Sequence, residues 1–123
     1  MAANKVIRFG PTALTTVVTN IINPPTTTGG TGLAGTNSNT YVIVKHIRVV
    51  NKSGSAGSYS MWIGGTGASA AGTEFMGTSN SVAANSSTDW YGQVRLDTAD
   101  YLTANASANT TITFQAEGEI GLV

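Results

Sequence analysis

Toward the end of the chain, Ile112, Phe114, Ala116, Gly118, Ile120 and Leu122 alternate with Thr111, Thr113, Gln115, Glu117, Glu119 and Gly121. A two-residue period places one set on each face of a pleated strand, so one face can be buried while the other is wetted. Upstream, Tyr41 to Asn51 carries Val42, Ile43, Val44, Ile47, Val49 and Val50. Apolar residues there fall on both faces, which predicts a central strand, covered by the core on one side and partly by another layer or a neighbouring subunit on the other. After the turn cluster Asn51 to Gly57, the segment Ser58 to Ile63 sets Tyr59, Met61 and Ile63 on one face, and the arrangement predicts a β-hairpin with the preceding strand.

The remaining segments follow the same grammar. Val6 to Phe9 reads as a short strand or an arm, ended by Gly10-Pro11. From Ala13 to Ile22 the β-branched residues favour a strand, which Asn23-Pro24-Pro25 stops. Further strands are predicted at Thr73 to Met76, Ser87 to Leu96 and Tyr101 to Ala104, and no segment carries a helical stripe. The stretch Thr26 to Asn39 has almost nothing to bury, and a polar loop of that length is commonly an interaction loop. The expected fold is all-β, an antiparallel β-sandwich or jelly-roll-like single domain. Residues 1–10 would form an N-terminal arm or short strand and residues 11–123 the sandwich, with a long polar loop at 24–39.

A chain of 123 residues has room for one core and leaves much of its surface exposed, so self-association would add useful burial. Charged residues make up only 10%, with six basic balancing six acidic, against about a quarter in ordinary domains. Nucleic-acid binding needs clustered Lys and Arg, and here only Lys45, Arg48 and Lys52 lie close together; Lys45 is expected on the opposite face from the other two. No apolar run reaches membrane length, so neither nucleic acid nor membrane insertion is an expected partner. No signal-peptide pattern is present, which places synthesis in the cytoplasm of the producing cell, and the four Asn-x-Ser/Thr matches at Asn51, Asn85, Asn105 and Asn109 follow from composition. With no cysteine there is no disulfide frame and no thiolate site.

Residues with chemical potential have plainer readings. His46 is the single histidine and sits mid-strand, where a strand neighbour or subunit contact is the expected role. The nearest approach to a nucleophile elbow, Gly67-Ala68-Ser69-Ala70-Ala71, fails at its last position. Asp97 and Asp100 bracket a turn, and Glu117 with Glu119 share a strand face; neither pair has the spacing of a calcium loop. The glycine-rich stretch after Ile63 lacks the Lys-Ser/Thr ending of a phosphate loop. Trp62, Trp90 and Tyr91 could stack on sugar rings, although aromatics in strands usually fill the core. No catalytic residue, metal ligand or cofactor is assigned, and the chain is read as non-enzymatic.

The string Tyr41 to Gly65, in which a hydrophobic strand ending Val49-Val50-Asn51 leads through a Ser/Gly/Ala turn to a second strand ending in glycine, resembles a pattern in small virion proteins of tailed bacteriophages. Ser81 to Ser87, Leu96 to Leu102 with Asp100, Ala106 to Phe114, and the early Gly10-Pro11-Thr12-Ala13-Leu14-Thr15 are similar as well, while the insertion Thr26 to Asn39 departs from the pattern. The resemblance implies a β-sandwich structural protein at the particle surface, commonly a symmetric homo-oligomer, with a trimer favoured. Its partners would be copies of itself and the major capsid protein or tail proteins. A capsid decoration (cement) role is preferred; a tail, neck or fibre-tip component, with receptor or glycan binding as one role for it, is the alternative. A polysaccharide hydrolase or lyase is a third reading that would need converging carboxylates. The expected partner contacts are Lys5, Val6, Ile7, Arg8 and Phe9 of the arm, Leu33 of the loop, and Trp90 with Tyr91.

Overall fold

In the computed structural model the described residues are 5–24, 40–65 and 67–122, so most of the long polar loop, including Leu33, lies outside them. They form eight strands: β1 (Lys5–Ala13), β2 (Thr19–Ile22), β3 (Thr40–Asn51), β4 (Gly57–Gly64), β5 (Glu74–Val82), β6 (Ser86–Leu96), β7 (Tyr101–Ala106) and β8 (Ile112–Leu122). The strands assemble into two antiparallel four-stranded sheets, ordered β1-β8-β3-β6 and β2-β7-β4-β5. Among the described strands, β4 and β5 are the only consecutive pair that share a sheet; each other consecutive pair is divided between the two layers. This is the double Greek key of a jelly roll. The described connections after odd-numbered strands gather at one end of the sandwich and the described connections after even-numbered strands at the other.

The alternation in β8 is realised as predicted. Ile112, Phe114, Ala116 and Ile120 are buried between the sheets, and each such side chain contributes about 1.5–3 kcal/mol through removal from water, alanine less. β3 lies between β8 and β6, a central strand as expected. Its apolar residues on both parities have a specific cause, a bulge between Val44 and His46. Val42 and Val44 face inward before it and Ile47 and Val49 after it, so two parities of sequence become one face of structure. The same bulge puts Lys45 and Arg48 together on the outer face, correcting the expectation that they oppose each other.

The hairpin predicted between β3 and β4 does not form. β3 pairs with β6 and β8, whereas β4 pairs with β5 and β7. The buried Asn51 directs the change of layer: its amide donates to the carbonyls of Ser55 at 2.9 Å, Val82 at 3.1 Å and Ala83 at 3.3 Å, and its Oδ1 accepts from Ser53 N at 2.9 Å. One side chain thus joins the β3–β4 and β5–β6 connections.

The N-terminal segment is a strand of the sheet from Lys5 onward, paired with β8, and it straddles the boundary expected at residue 10. Pro11 does not end it; a register shift between Phe9 and Thr12 carries the strand on to Ala13. Gly10 is required there, because it has φ +79° and a Cβ would lie 2.7 Å from the Phe114 carbonyl oxygen. Ala13 to Ile22 is not one strand. Leu14 N donates to Ile112 O at 2.8 Å, Thr110 N to Leu14 O at 3.0 Å and Ala106 N to Thr15 O at 2.8 Å, so this stretch bridges the layers before β2 begins in the second sheet. β5 runs through residues 77–81, which have nothing apolar, to the buried Val82, well past the predicted end at Met76.

Candidate functional site

The two outer faces of the sandwich have different chemistry. On the outside of β1-β8-β3-β6, strand register brings side chains of opposite charge together. Lys45 Nζ pairs with Glu119, Arg48 Nε donates to Asp89 Oδ1 at 2.9 Å, and Arg95 Nε donates to Asp97 Oδ1 at 2.7 Å. Arg95 also lies over the Tyr41 ring, 4.2 Å from its centroid. His46 is enclosed in this network. Its Nε2 is 2.7 Å from Asp89 Oδ1, its Nδ1 is 3.9 Å from Glu117 Oε1, and its ring stacks on Tyr91 at 4.5 Å and 11°. The hydrogen bond from Arg48, then that from His46, hold the Asp89 carboxyl below the usual carboxylate range, and Asp89 raises Arg48 in turn. His46 therefore hydrogen-bonds Asp89, lies near Glu117 and stacks on Tyr91, and the cluster acts as a cross-strand brace.

The carboxylate pairs are similarly engaged. Asp100 Oδ2 accepts from Asp97 N at 3.2 Å and Asp100 N donates to Asp97 O at 2.9 Å, closing the β6–β7 turn. Glu117 and Glu119 do share the outer face of β8, beside His46 and Lys45. Among the described residues no group of three or more His, Asp or Glu side chains is placed to hold a metal ion, and no helix is long and apolar enough to cross a membrane.

The expected partner-contact residues separate. Ile7 and Phe9 are core residues, 6% and 7% exposed, so they are not available at the surface of this fold. Val6, 82% exposed, and Arg8 face outward from the same strand. Trp90 and Tyr91 fall on opposite faces of β6: Trp90 turns inward against the core, meeting Phe75 edge-on at 5.2 Å, while Tyr91 is 72% exposed over His46. Trp90 and Tyr91 therefore do not form one aromatic platform.

The outer face of β2-β7-β4-β5 is nearly free of charge, Glu74 being the one charged residue in its strands. It bears a groove of about 460 Å³ lined by Ser58, Ser60, Trp62, Thr78, Ser79 and Asn105, with Tyr59, Ala106 and Ser107 contributing. One wall is an irregularity of β5. The β4–β5 ladder breaks between Tyr59, which faces Asn80, and Met61, which faces Phe75, and in the gap Met76 (φ 68°), Gly77 (φ 83°) and Ser79 (φ 49°) adopt left-handed backbone. Ser60 Oγ pins this wall by accepting from Ser79 N at 2.7 Å. At the other end of the same face the β4–β5 connection folds over the sheet, where buried Thr103 donates to Ala68 O at 2.6 Å and Asn20 Oδ1 accepts from Gly67 N at 2.8 Å. The signal for this groove was in the sequence: if Tyr59, Met61 and Ile63 face the core, then Ser58, Ser60 and Trp62 must face out.

Neither a protein-family model nor a curated protein sequence matches the chain. Its fold does match solved structures. A chain of the extra small virus of the giant freshwater prawn Macrobrachium rosenbergii, solved as a virus-like particle, superposes with a TM-score of 0.51 at 7% identity, over 96% of this chain and 76% of that one. The Gx strain of infectious bursal disease virus gives a TM-score of 0.30 at 9% identity, over 95% of this chain and 28% of that one, and at that score adds nothing to the assignment. The jelly-roll architecture is what this chain has in common with the prawn-virus protein.

Proposed function

We propose that this chain is a non-enzymatic structural protein of a virus particle, and within that class a decoration protein that binds the assembled head of a tailed bacteriophage. The observation that carries the structural reading is the eight-stranded jelly roll filling the described chain, alike in fold over 96% of its length to a protein solved in a virus-like particle. A jelly roll hosts lectin domains as well as capsid domains, so the assignment also draws on the side chains. Lys45, Arg48 and Arg95, which a genome-lining shell would present to phosphates, are each paired with a carboxylate of the same face. That favours a position on the outside of a particle, where a subunit that binds only the assembled lattice stabilises it by mass action. The small domain gains burial by associating with copies of itself, with a trimer as the preferred state, and with the major capsid protein.

The test is the copy number of the chain in purified particles, relative to the major capsid protein, by quantitative mass spectrometry. A number comparable to the capsid subunit is expected. A handful per particle would replace decoration by a neck, fibre or tail-tip role, and absence from particles would end the virion reading.

A further inference from the structure

We propose that the groove on the outer face of β2-β7-β4-β5 binds a neutral saccharide, with Trp62 as the stacking platform and Asn105, Ser60, Ser107 and Thr78 as hydrogen-bonding groups. The lining selects the ligand class. Among the residues that line the groove none carries a charge at neutral pH, and Glu74, beside Trp62 in the ladder, has its carboxylate engaged by Gly72 N, so the lining offers no counter-charge to a phosphate or carboxylate and no free carboxylate to a cation. A purely apolar ligand would strip water from five serine and threonine hydroxyls and an amide without replacing their hydrogen bonds. A sugar has what the site offers a match for, an apolar C–H face for an indole and hydroxyls for hydroxyl and amide partners.

The hydrogen-bond directions fit as well. Ser60 Oγ accepts from Ser79 N at 2.7 Å and Ser107 Oγ accepts from Ser58 N at 3.1 Å, so each oxygen is fixed by a backbone donor and keeps its own hydrogen to give to a ligand. Trp62 stands on β4 between Thr103 of β7 and Glu74 of β5, a rigid position in mid-sheet. Thr78 and Ser79 form a wall where the β4–β5 ladder breaks, and the left-handed backbone at Ser79 is of a kind that persists only where the surroundings hold it. At about 460 Å³ the groove lies within the usual size of small-ligand sites.

This inference is independent of the virion reading: a chain abundant on particles that binds no sugar would lose only the groove, and a sugar-binding chain absent from particles would lose only the particle. The experiment is saturation-transfer NMR and tryptophan-fluorescence titration of the full chain with four neutral trisaccharides: maltotriose, cellotriose, mannotriose and tri-N-acetylchitotriose. Saturable binding of at least one is expected, weakened about tenfold or more by Trp62→Ala and by Asn105→Ala and unchanged by Tyr91→Ala. If Trp62→Ala does not fold, Asn105→Ala and Ser107→Ala decide. No saturable binding by any of the four, or binding that survives the groove substitutions, overturns the proposal.

Discussion

The two sheets share a core but solve different problems. β1-β8-β3-β6 is built from strands of nine to twelve residues whose ladders are interrupted only by single bulges, and its outer face is laced by paired charges. β2-β7-β4-β5 has strands of four to nine residues, a broken β4–β5 ladder with left-handed residues in the gap, and an outer face of hydroxyls, amides and one indole. The first is a regular frame on which Lys45, Arg48 and Arg95 are each paired with a carboxylate. The second carries the irregular backbone and the concave surface, and strain of that kind is tolerated because the frame opposite supplies the stability.

If that division holds, backbone crowding should be far costlier in the frame. A Cβ on Gly118 would lie 1.9 Å from the Ile43 carbonyl oxygen, beside the β3 bulge, with only main chain to yield. Gly118→Ala is expected to cost about 3 kcal/mol or more, or to prevent folding. In the other sheet a Cβ on Gly57 meets the terminal carbon of Ile112 at 3.2 Å, a flexible end that can move, so Gly57→Ala should cost about 1 kcal/mol or less. Urea unfolding of both variants measures the contrast, and equal losses would remove it.

The next effect belongs to the residue that joins the layers. Asn51→Ala removes three donated hydrogen bonds and one accepted bond from a side chain that is 1% exposed. A loss of about 2–3 kcal/mol is expected, with faster amide exchange at Ser53 and Asn85, whose amide donates to Ser53 O. A loss confined to the β3–β4 turn would show that Asn51 serves one sheet only.

How much of this was legible in the sequence depends on what each pattern encodes. β8 could be read completely because its alternation is unbroken from Ile112 to Ile120. β3 was legible as a central strand, but one extra residue at Lys45 reverses the parity, and period-two reasoning then assigns Lys45 and Arg48 to opposite faces. Strand partners were not legible at all: a turn cluster such as Asn51 to Gly57 suits a hairpin and a layer crossing equally, and the choice rests on Asn51 reaching carbonyls more than thirty residues away. The predicted strand at Thr73 to Met76 stops short of the second half of β5 because Gly77 to Ser81 contains nothing to bury. Trp62 and Trp90 have similar sequence contexts and opposite fates, and only the facing of Met61 and Ile47 tells them apart.

In the second sheet, Thr103→Val keeps the shape of the side chain and deletes the hydroxyl that donates to Ala68 O at 2.6 Å. About 1 kcal/mol is expected, with amide exchange accelerated at Ala68 and Thr73 in the β4–β5 connection and unaltered in β3 and β8. Exchange that accelerates evenly over both sheets would mean that the cover and the frame unfold as one unit.

The smallest effect tests the charged lacing of the frame. Asp89 has a folded-state pKa below its ordinary value of 3.8, through hydrogen bonds from Arg48 first and His46 second. A depressed carboxylate pKa means that the ionised form is favoured by folding, so its contribution is fully present above the unfolded value and disappears as pH falls through the folded one. Asp89→Asn should therefore be less stable than the parent at pH 7, with a gap that narrows below about pH 4 and that salt reduces, since the pairs are exposed. Urea unfolding at pH 7 and in the acid range, each at low and high salt, follows that gap. A difference that stays constant with pH would show that Asp89 acts on this face by the fit of its hydrogen bonds, and that the two sheets differ in regularity without differing in the way charge holds them.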